Sequence, residues 1–329
     1  MRNASPATGI TFMLVMTCCM ILPGCISKPD RPDDHGRTRH LPPGISRTDP
    51  ASGASPGNAL AHRRRTELPL PSQQDAPSFF DTRASRAPLQ AGIKRVTSRD
   101  ISLILVLFDD RNYRISVVDK EQGPETEWPT AQAAARAHGA LAAINAGFFT
   151  PEGRPLGLVI ENGRHIGTWN AQSSLTSGLL SVEKSPRLLR RRHWRSFSPT
   201  RHLVQAGPLL IENGRAVDGL DNGERSPRSF LAWDGGSRWA FGYCEKATLT
   251  ELALSLANQP LEQLDITTAL NLDGGRSSDL WVSREVQGGP LTTRRLWNRS
   301  VRNYLLLHRR SPEQPGNGAA GSPPPPILP

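Results

Sequence analysis

Through the middle of the chain, apolar residues fall into short runs separated by turn-forming residues, a pattern that favours strands over long helices. Ile101-Ser102-Leu103-Ile104-Leu105-Val106-Leu107 is nearly continuous, and Tyr113 to Val118 follows it after Asp109-Asp110-Arg111-Asn112. The two runs are expected to pair as a hairpin with one well-buried strand. Leu158-Val159-Ile160-Glu161-Asn162-Gly163-Arg164 and Leu209-Leu210-Ile211-Glu212-Asn213-Gly214-Arg215 repeat one pattern. Asn-Gly supplies the two positive-φ positions of a tight turn, so each segment predicts a hairpin and the likeness is one of turn chemistry. A further hairpin is expected around Asp234-Gly235-Gly236, joining residues 230–233 to 239–241.

Helical signals are fewer. Thr130 precedes the alanine-rich stretch from Ala131 to Ala137, with Gly139 as its stop, and Thr248-Leu249-Thr250-Glu251 reads as a capping box ahead of Leu252, Leu254 and Leu256. Each helix leads into an apolar strand that ends in a polar motif. The fold class expected is α+β, a single domain with a curved, mostly antiparallel β-sheet core and helices packed against it.

The ends of the chain read differently. Residues 1–24 combine Arg2, an apolar run from Ile10 to Leu22 and small residues before Cys25, the layout of a secretory signal too short for a bilayer span of about 20 residues. Leu22-Pro23-Gly24-Cys25 resembles the lipobox of bacterial lipoproteins, with Pro23 a departure, so Cys25 is the expected lipidation site. The alternative is an ordinary cleaved signal in which Cys25 is incidental. Residues 25–92 and 311–329, rich in Pro with Arg or Gly, lack an apolar period and read as a tether and a tail around a domain at 93–310. The location implied is the periplasmic side of an outer membrane or the cell surface, with the membrane reached through the lipid anchor.

Of four cysteines only Cys244 would remain unmodified in the domain, which excludes a disulfide framework and a cysteine metal site. The histidines show no metal-ligand spacing, and neither metal nor other cofactor is expected. A net charge of +10 and the run Arg190-Arg191-Arg192-His193-Trp194-Arg195 could serve nucleic acid, but an extracytoplasmic place argues against that partner. A solvated loop, or contact with anionic glycan, phosphate or lipid headgroups, fits better.

Asp273 follows a strand of buried character and precedes two glycines, so the backbone can turn sharply and bring N–H groups toward whatever the carboxylate faces. The same residues suit an ordinary turn in which Asp273 caps the backbone. The set of motifs decides between them: Asn145-Ala146-Gly147-Phe148-Phe149, Pro155-Leu156-Gly157-Leu158-Val159, Gln205-Ala206-Gly207-Pro208-Leu209-Leu210, Arg228-Ser229-Phe230, Ala269-Leu270-Asn271-Leu272-Asp273-Gly274-Gly275 and Arg299-Ser300-Val301-Arg302-Asn303, in that order. Together they resemble the phosphodiester glycosidase family over nearly the whole globular region.

The resemblance implies hydrolysis of a sugar from a sugar-phosphate diester, with a carbohydrate or glycosyl phosphate as the partner. It carries Asp273, Arg228 and Asn145 over as catalytic residues and Gln205, a weaker match, as substrate-binding; Asn271, Gly274, Gly275, Arg276, Ser277 and Ser278, around Asp273, are expected to bind substrate with it. Arg276 stands where the family commonly has a small residue, which bears on the substrate. Glycosidases usually use two carboxylates, but a phosphate monoester leaves without much protonation. Asp273 with Arg228 on the departing phosphate could then suffice, Asn145 holding a sugar hydroxyl or the water. A structural ion pair for Arg228 and a turn-capping amide for Asn145 are the competing roles. Glu161 and Glu212 are weaker candidates for a second acid, and Trp169, Trp194 and Trp281 for sugar stacking. The rival function is a non-catalytic glycan-binding or envelope-assembly lipoprotein on the same fold.

Overall fold

A computed structural model of the chain describes residues 86–195, 199–258 and 261–310. The chain divides after Leu70, and every described residue belongs to the second unit. The expected signal, Cys25, most of the tether and the tail lie outside the described residues.

In chain order the strands are β1 (Gly92–Ser98), β2 (Ile101–Asp109), β3 (Tyr113–Asp119), β4 (Ala142–Asn145), β5 (Val159–Glu161), β6 (Arg164–Ile166), β7 (Gly178–Val182), β8 (Pro186–Arg190) and β9 (His202–Ala206). They continue as β10 (Leu209–Glu212), β11 (Arg215–Ala216), β12 (Ser226–Trp233), β13 (Arg238–Ala247), β14 (Thr268–Asn271), β15 (Leu280–Val282), β16 (Leu291–Thr292) and β17 (Asn303–Arg309). Two helices, α1 (Ala131–Ala137) and α2 (Leu249–Asn258), complete the regular structure. The strands form three sheets, ordered β1-β2-β13-β12-β14-β10-β11, β16-β15-β4-β17-β3 and β6-β5-β9-β7-β8. Every strand pairing is antiparallel, as expected.

Local signals were realised where the turn itself dictates them. Asn162-Gly163 and Asn213-Gly214 have φ of 49°, 83°, 52° and 74° and close the β5/β6 and β10/β11 hairpins. Trp233 faces Trp239 across the β12/β13 hairpin. The Thr130 hydroxyl accepts from the Ala133 N–H at 3.0 Å to cap α1. At α2, Thr248 and Glu251 bond each other's backbone N–H groups at 3.1 and 2.9 Å, the reciprocal capping box.

One pairing differs from expectation. β2 does not pair with β3: it lies between β1 and β13, while β3 pairs with β17 in another sheet. The cause is burial on both faces. Leu103, Leu105 and Leu107 pack toward α2 with Leu252 and Leu256, whereas Val106 and Phe108 pack into the main core with Phe241 and Leu305. A strand buried on both faces carries no alternation to mark its partner. β1, polar at Lys94, Arg95, Thr97 and Ser98, was assigned in part to the tether; its turn into β2 uses positive φ at Arg99 and Asp100, residues that do not advertise one.

The helices cover the outer faces of two sheets: α2 packs in the cluster with Phe230, Ala232 and Ala240, and α1 places Ala131, Ala134 and Ala135 against Trp281, Tyr304 and Leu306. Between the sheets lies the largest core, which includes Val106, Ile144, Leu180, Val204, Leu270 and Leu305.

Candidate active site

The site forms where strand ends of different sheets meet. Leu272 donates its N–H to the Ser229 carbonyl on β12 at 2.9 Å, and the next residue, Asp273, donates to the Ala146 carbonyl just past β4 at 2.9 Å. Within two residues the chain is fastened to two sheets, so Asp273 is held at their junction. The backbone then enters a short 3-10 turn, Gly275–Ser277, with φ of 62° at Gly275. A side chain at Gly274 would meet the Pro227 carbonyl at 3.1 Å and Arg228 Nη1 at 3.5 Å. Glycine there lets Arg228 lie against the turn.

Asn145 ends β4 with no exposure to solvent. Its Nδ2 donates to the Asp273 carbonyl at 2.6 Å, and its Oδ1 accepts from Ser229 Oγ at 2.7 Å and the Asp279 N–H at 3.0 Å. The side chain therefore ties β4, β12 and the 273–279 turn together from behind. In place of the expected contact with sugar or water, the hydrogen bonds of Asn145 hold Asp273 and the turn behind it.

The Asp273 carboxyl is 5% exposed, and burial pushes its pKa up to about 6 against the opposing pull of Ser277, Arg299 and the Gly274 N–H. Its Oδ2 is buried without a hydrogen bond. Arg299 Nη2 lies 3.6 Å from that oxygen, too far for a hydrogen bond, so at Oδ2 the arginine acts through its charge. Arg299 is itself held by Ser277 Oγ at 2.9 Å and rests on the Phe149 ring at 4.7 Å. A carboxylate this desolvated and this poorly partnered is costly to the fold and suited to charge developing beside it.

Arg228 donates from Nε to the Ala247 carbonyl at 3.0 Å and from Nη2 to the Glu224 carbonyl at 2.9 Å. Nη1, which faces Gly274, has no hydrogen-bond partner among the described residues, and none of their carboxylates forms an ion pair with this guanidinium. Burial lowers its pKa, with Asp221 and Glu224 opposing. The structural ion pair weighed for Arg228 is not formed; a half-buried cation with one free edge remains.

Other expected contacts are placed as follows. Gln205 is 2% exposed and spends its whole amide on the protein: Oε1 accepts from the Leu158 and Asn170 N–H groups at 2.8 and 3.0 Å, and Nε2 donates to the Asn170 and Thr176 carbonyls at 3.1 and 3.3 Å. It clamps the 157–177 loop in place of the expected substrate contact. Asn271 is likewise buried, with Nδ2 on the Gly207 carbonyl at 2.9 Å. Ser277 orients Arg299, and Ser278 is buried. Arg276 is exposed and donates from Nε to the Trp297 carbonyl at 3.0 Å. Glu161 and Glu212 pair with Arg164 and Arg190, Trp281 packs in the core, and Trp169 stacks on Trp194 at 5.1 Å.

Sequence reasoning quoted Ser229 and Arg299 in motifs without assigning them a role. It missed Asp279, which receives the Ala131 N–H and an Arg294 ion pair, each through Oδ2, at 2.9 and 3.0 Å and backs Asn145. The last motif serves the first: Asn303 Oδ1 accepts from the Gly147 N–H at 2.8 Å, and Arg302, ion-paired to buried Asp119 at 2.8 Å, donates to the Gly153 carbonyl at 2.9 Å.

Two antiparallel sheets meet at Asp273, a desolvated aspartate whose turn also carries the guanidiniums of Arg228 and Arg299, and no group of metal-ligating side chains occurs among the described residues. The phosphodiester glycosidase family model matches residues 138–308, just over half of the chain, and the protein belongs to that family. The catalytic domain of zebrafish N-acetylglucosamine-1-phosphodiester alpha-N-acetylglucosaminidase, auto-inhibited by its pro-peptide, shares the fold at 17% identity and a TM-score of 0.50, over 69% of this chain and 86% of that one. A hypothetical protein from Synechocystis aligns at 18% identity and a TM-score of 0.45, over 66% and 61%. No curated protein matches the chain.

Proposed function

We propose that this protein hydrolyses glycosyl phosphodiesters, releasing a sugar from a sugar 1-phosphate diester on envelope or extracellular glycans. The observation that carries the reading is Asp273, buried with Oδ2 unbonded, followed by Gly274, against which the free Nη1 edge of Arg228 lies. Membership of the family supports the reaction class, and the zebrafish relative's name specifies a bond of that kind. In the reaction, the bond from the anomeric carbon to the phosphate oxygen breaks and the electron pair leaves with the phosphate. Arg228 Nη1 donates to that phosphate as charge gathers on it. Asp273, ionised above pH about 6, faces the cationic anomeric carbon and takes the proton of the attacking water. Arg299 keeps the carboxylate ionised and fixed in place.

Cys25 as a lipid anchor would hold the domain at the envelope, where phosphodiester-linked glycans occur; that placement rests on the amino-terminal sequence alone. The test is a panel of sugar 1-phosphate diesters incubated with the purified protein, free sugar and phosphate monoester being measured. Release of both in equal amounts is expected, with a rate that rises through pH about 6 as Asp273 ionises. Saturable binding of the panel with no cleavage would replace the hydrolase by a glycan-binding protein.

A further inference from the structure

A polar cleft lies at the ends of β3 and β17 away from Asn303 and the Asp273 turn. Along β3 and β17, Asn303 faces Asp119 at the catalytic end and His308 faces Arg114 at the other. From Asn303 to His308 the strand advances about 16 Å at roughly 3.3 Å per residue, so the two places are separate. The cleft, about 570 Å³, is walled by β3, the start of β9, the end of β17 and the β7/β8 turn.

Its floor is polar and buried. His202 is 4% exposed, and its Nδ1 accepts from the Val117 and Asn162 N–H groups at 3.3 and 3.4 Å. Those bonds place the ring proton on Nε2, which has no partner among the described residues. His308 stands beside it with Nε2 3.0 Å from Ser116 Oγ. The rim carries Arg114, Lys184 and Arg201. Among the described residues none of the three forms an ion pair or donates a side-chain hydrogen bond. Arg310, by contrast, is committed to the carbonyls of Asp110 and Tyr113 at 2.7 and 3.1 Å.

Partial burial, and after it the nearby Arg201 and Arg310, disfavour the Arg114 charge, and burial with Arg201, Arg114 and His308 around it pulls His202 down to about 4. Of the carboxylates lining the cleft, Glu161 is bonded to Arg164 at 3.3 Å, and Glu183 lies exposed at the rim. Repelling cations above a buried N–H donor make a cradle that a multiply charged oxyanion would relieve.

We propose that this cleft binds a phosphate group, its oxygens taken by the guanidiniums of Arg114 and Arg201 and the Lys184 ammonium, with His202 Nε2–H donating from the floor. A phosphate matches that donor set in charge and in number of acceptors better than a carboxylate does. The site is independent of the reaction proposed for Asp273.

The experiment titrates the whole protein at pH 7 with inorganic phosphate, glucose 1-phosphate or acetate, reading the ring NMR signals of His202 and His308. The signals are assigned with His202→Gln and His308→Gln. Saturable shifts are expected for the two phosphates with Kd of about 1 mM or tighter. Tighter binding of the sugar phosphate would show that the ligand is glycan-borne, and equal binding that the free anion suffices; either supports the site. The Arg114→Gln/Arg201→Gln variant, both positions being exposed, should keep its thermal midpoint and any hydrolysis, yet lose at least tenfold in affinity. Asp273→Asn should bind phosphate as the wild type does, which separates this site from the catalytic one. No saturation below about 10 mM, unchanged affinity in the double variant, or equal binding of acetate would overturn the proposal.

Discussion

Replacing Asp273 by asparagine should make the folded protein more stable at neutral pH while removing its activity. The native carboxyl titrates at about 6, against 3.8 for the free group, because burial penalises the charge more than Ser277, Arg299 and the Gly274 N–H repay it. At 1.36 kcal/mol per unit, holding Asp273 ionised above pH 6 costs roughly 3 kcal/mol. Asparagine removes that cost but accepts through one oxygen only, losing about 1 kcal/mol of hydrogen bonding. A net gain of about 1–2 kcal/mol remains at pH 7.5, equivalent to a rise of about 2–8 °C in thermal midpoint for a domain of this size.

The pH dependence fixes the sign. Between pH about 4 and about 6 the native state holds a proton that the unfolded chain has released, so wild-type stability falls as pH rises through that window. The variant lacks this loss, and its advantage should vanish below pH about 4. Paired melts at pH 3.5 and 7.5, with hydrolysis assayed at the latter, measure both quantities. A variant less stable than wild type at pH 7.5 would refute the desolvation argument. A stable variant that keeps more than about a tenth of the rate, 1.4 kcal/mol or less in barrier, would remove Asp273 from the chemistry.

Arg228→Met should lower the hydrolysis rate by about 100-fold or more through loss of its free Nη1, with a smaller loss of stability, about 1–3 kcal/mol, from the Ala247 and Glu224 carbonyls left without their donor; a midpoint loss without a rate loss would make it structural. Asn145→Ala should cost roughly 2–4 kcal/mol in urea melts, because Ser229, the Asp279 N–H and the Asp273 carbonyl lose one buried partner together. Gln205→Ala should destabilise similarly and leave KM unchanged, which a raised KM at unaltered stability would contradict. Cys25→Ala should abolish labelled fatty-acid incorporation and release the protein from membranes; unchanged labelling would end the anchor proposal.

What the sequence determined by itself was local or patterned in order. Positive-φ demands at Asn162-Gly163 and Asn213-Gly214, the Thr130 cap and the Thr248/Glu251 box were legible because a few adjacent residues create them and satisfy them. Asp273 and Arg228 were singled out through the order of the motifs, and in the structure Arg228 Nη1 lies against Gly274, the residue after Asp273. Only tertiary structure decided which strand β2 would join, since apolar side chains on both its faces carry no register. It also decided what the amides do. Asn145 and Gln205 offer the same donors and acceptors to a sugar or to a backbone, and the choice is made by chain segments up to 134 residues away that close over them. The unbonded Oδ2 of Asp273 is likewise a property of the junction between two sheets, because desolvation depends on everything packed around a group and no window of sequence contains it.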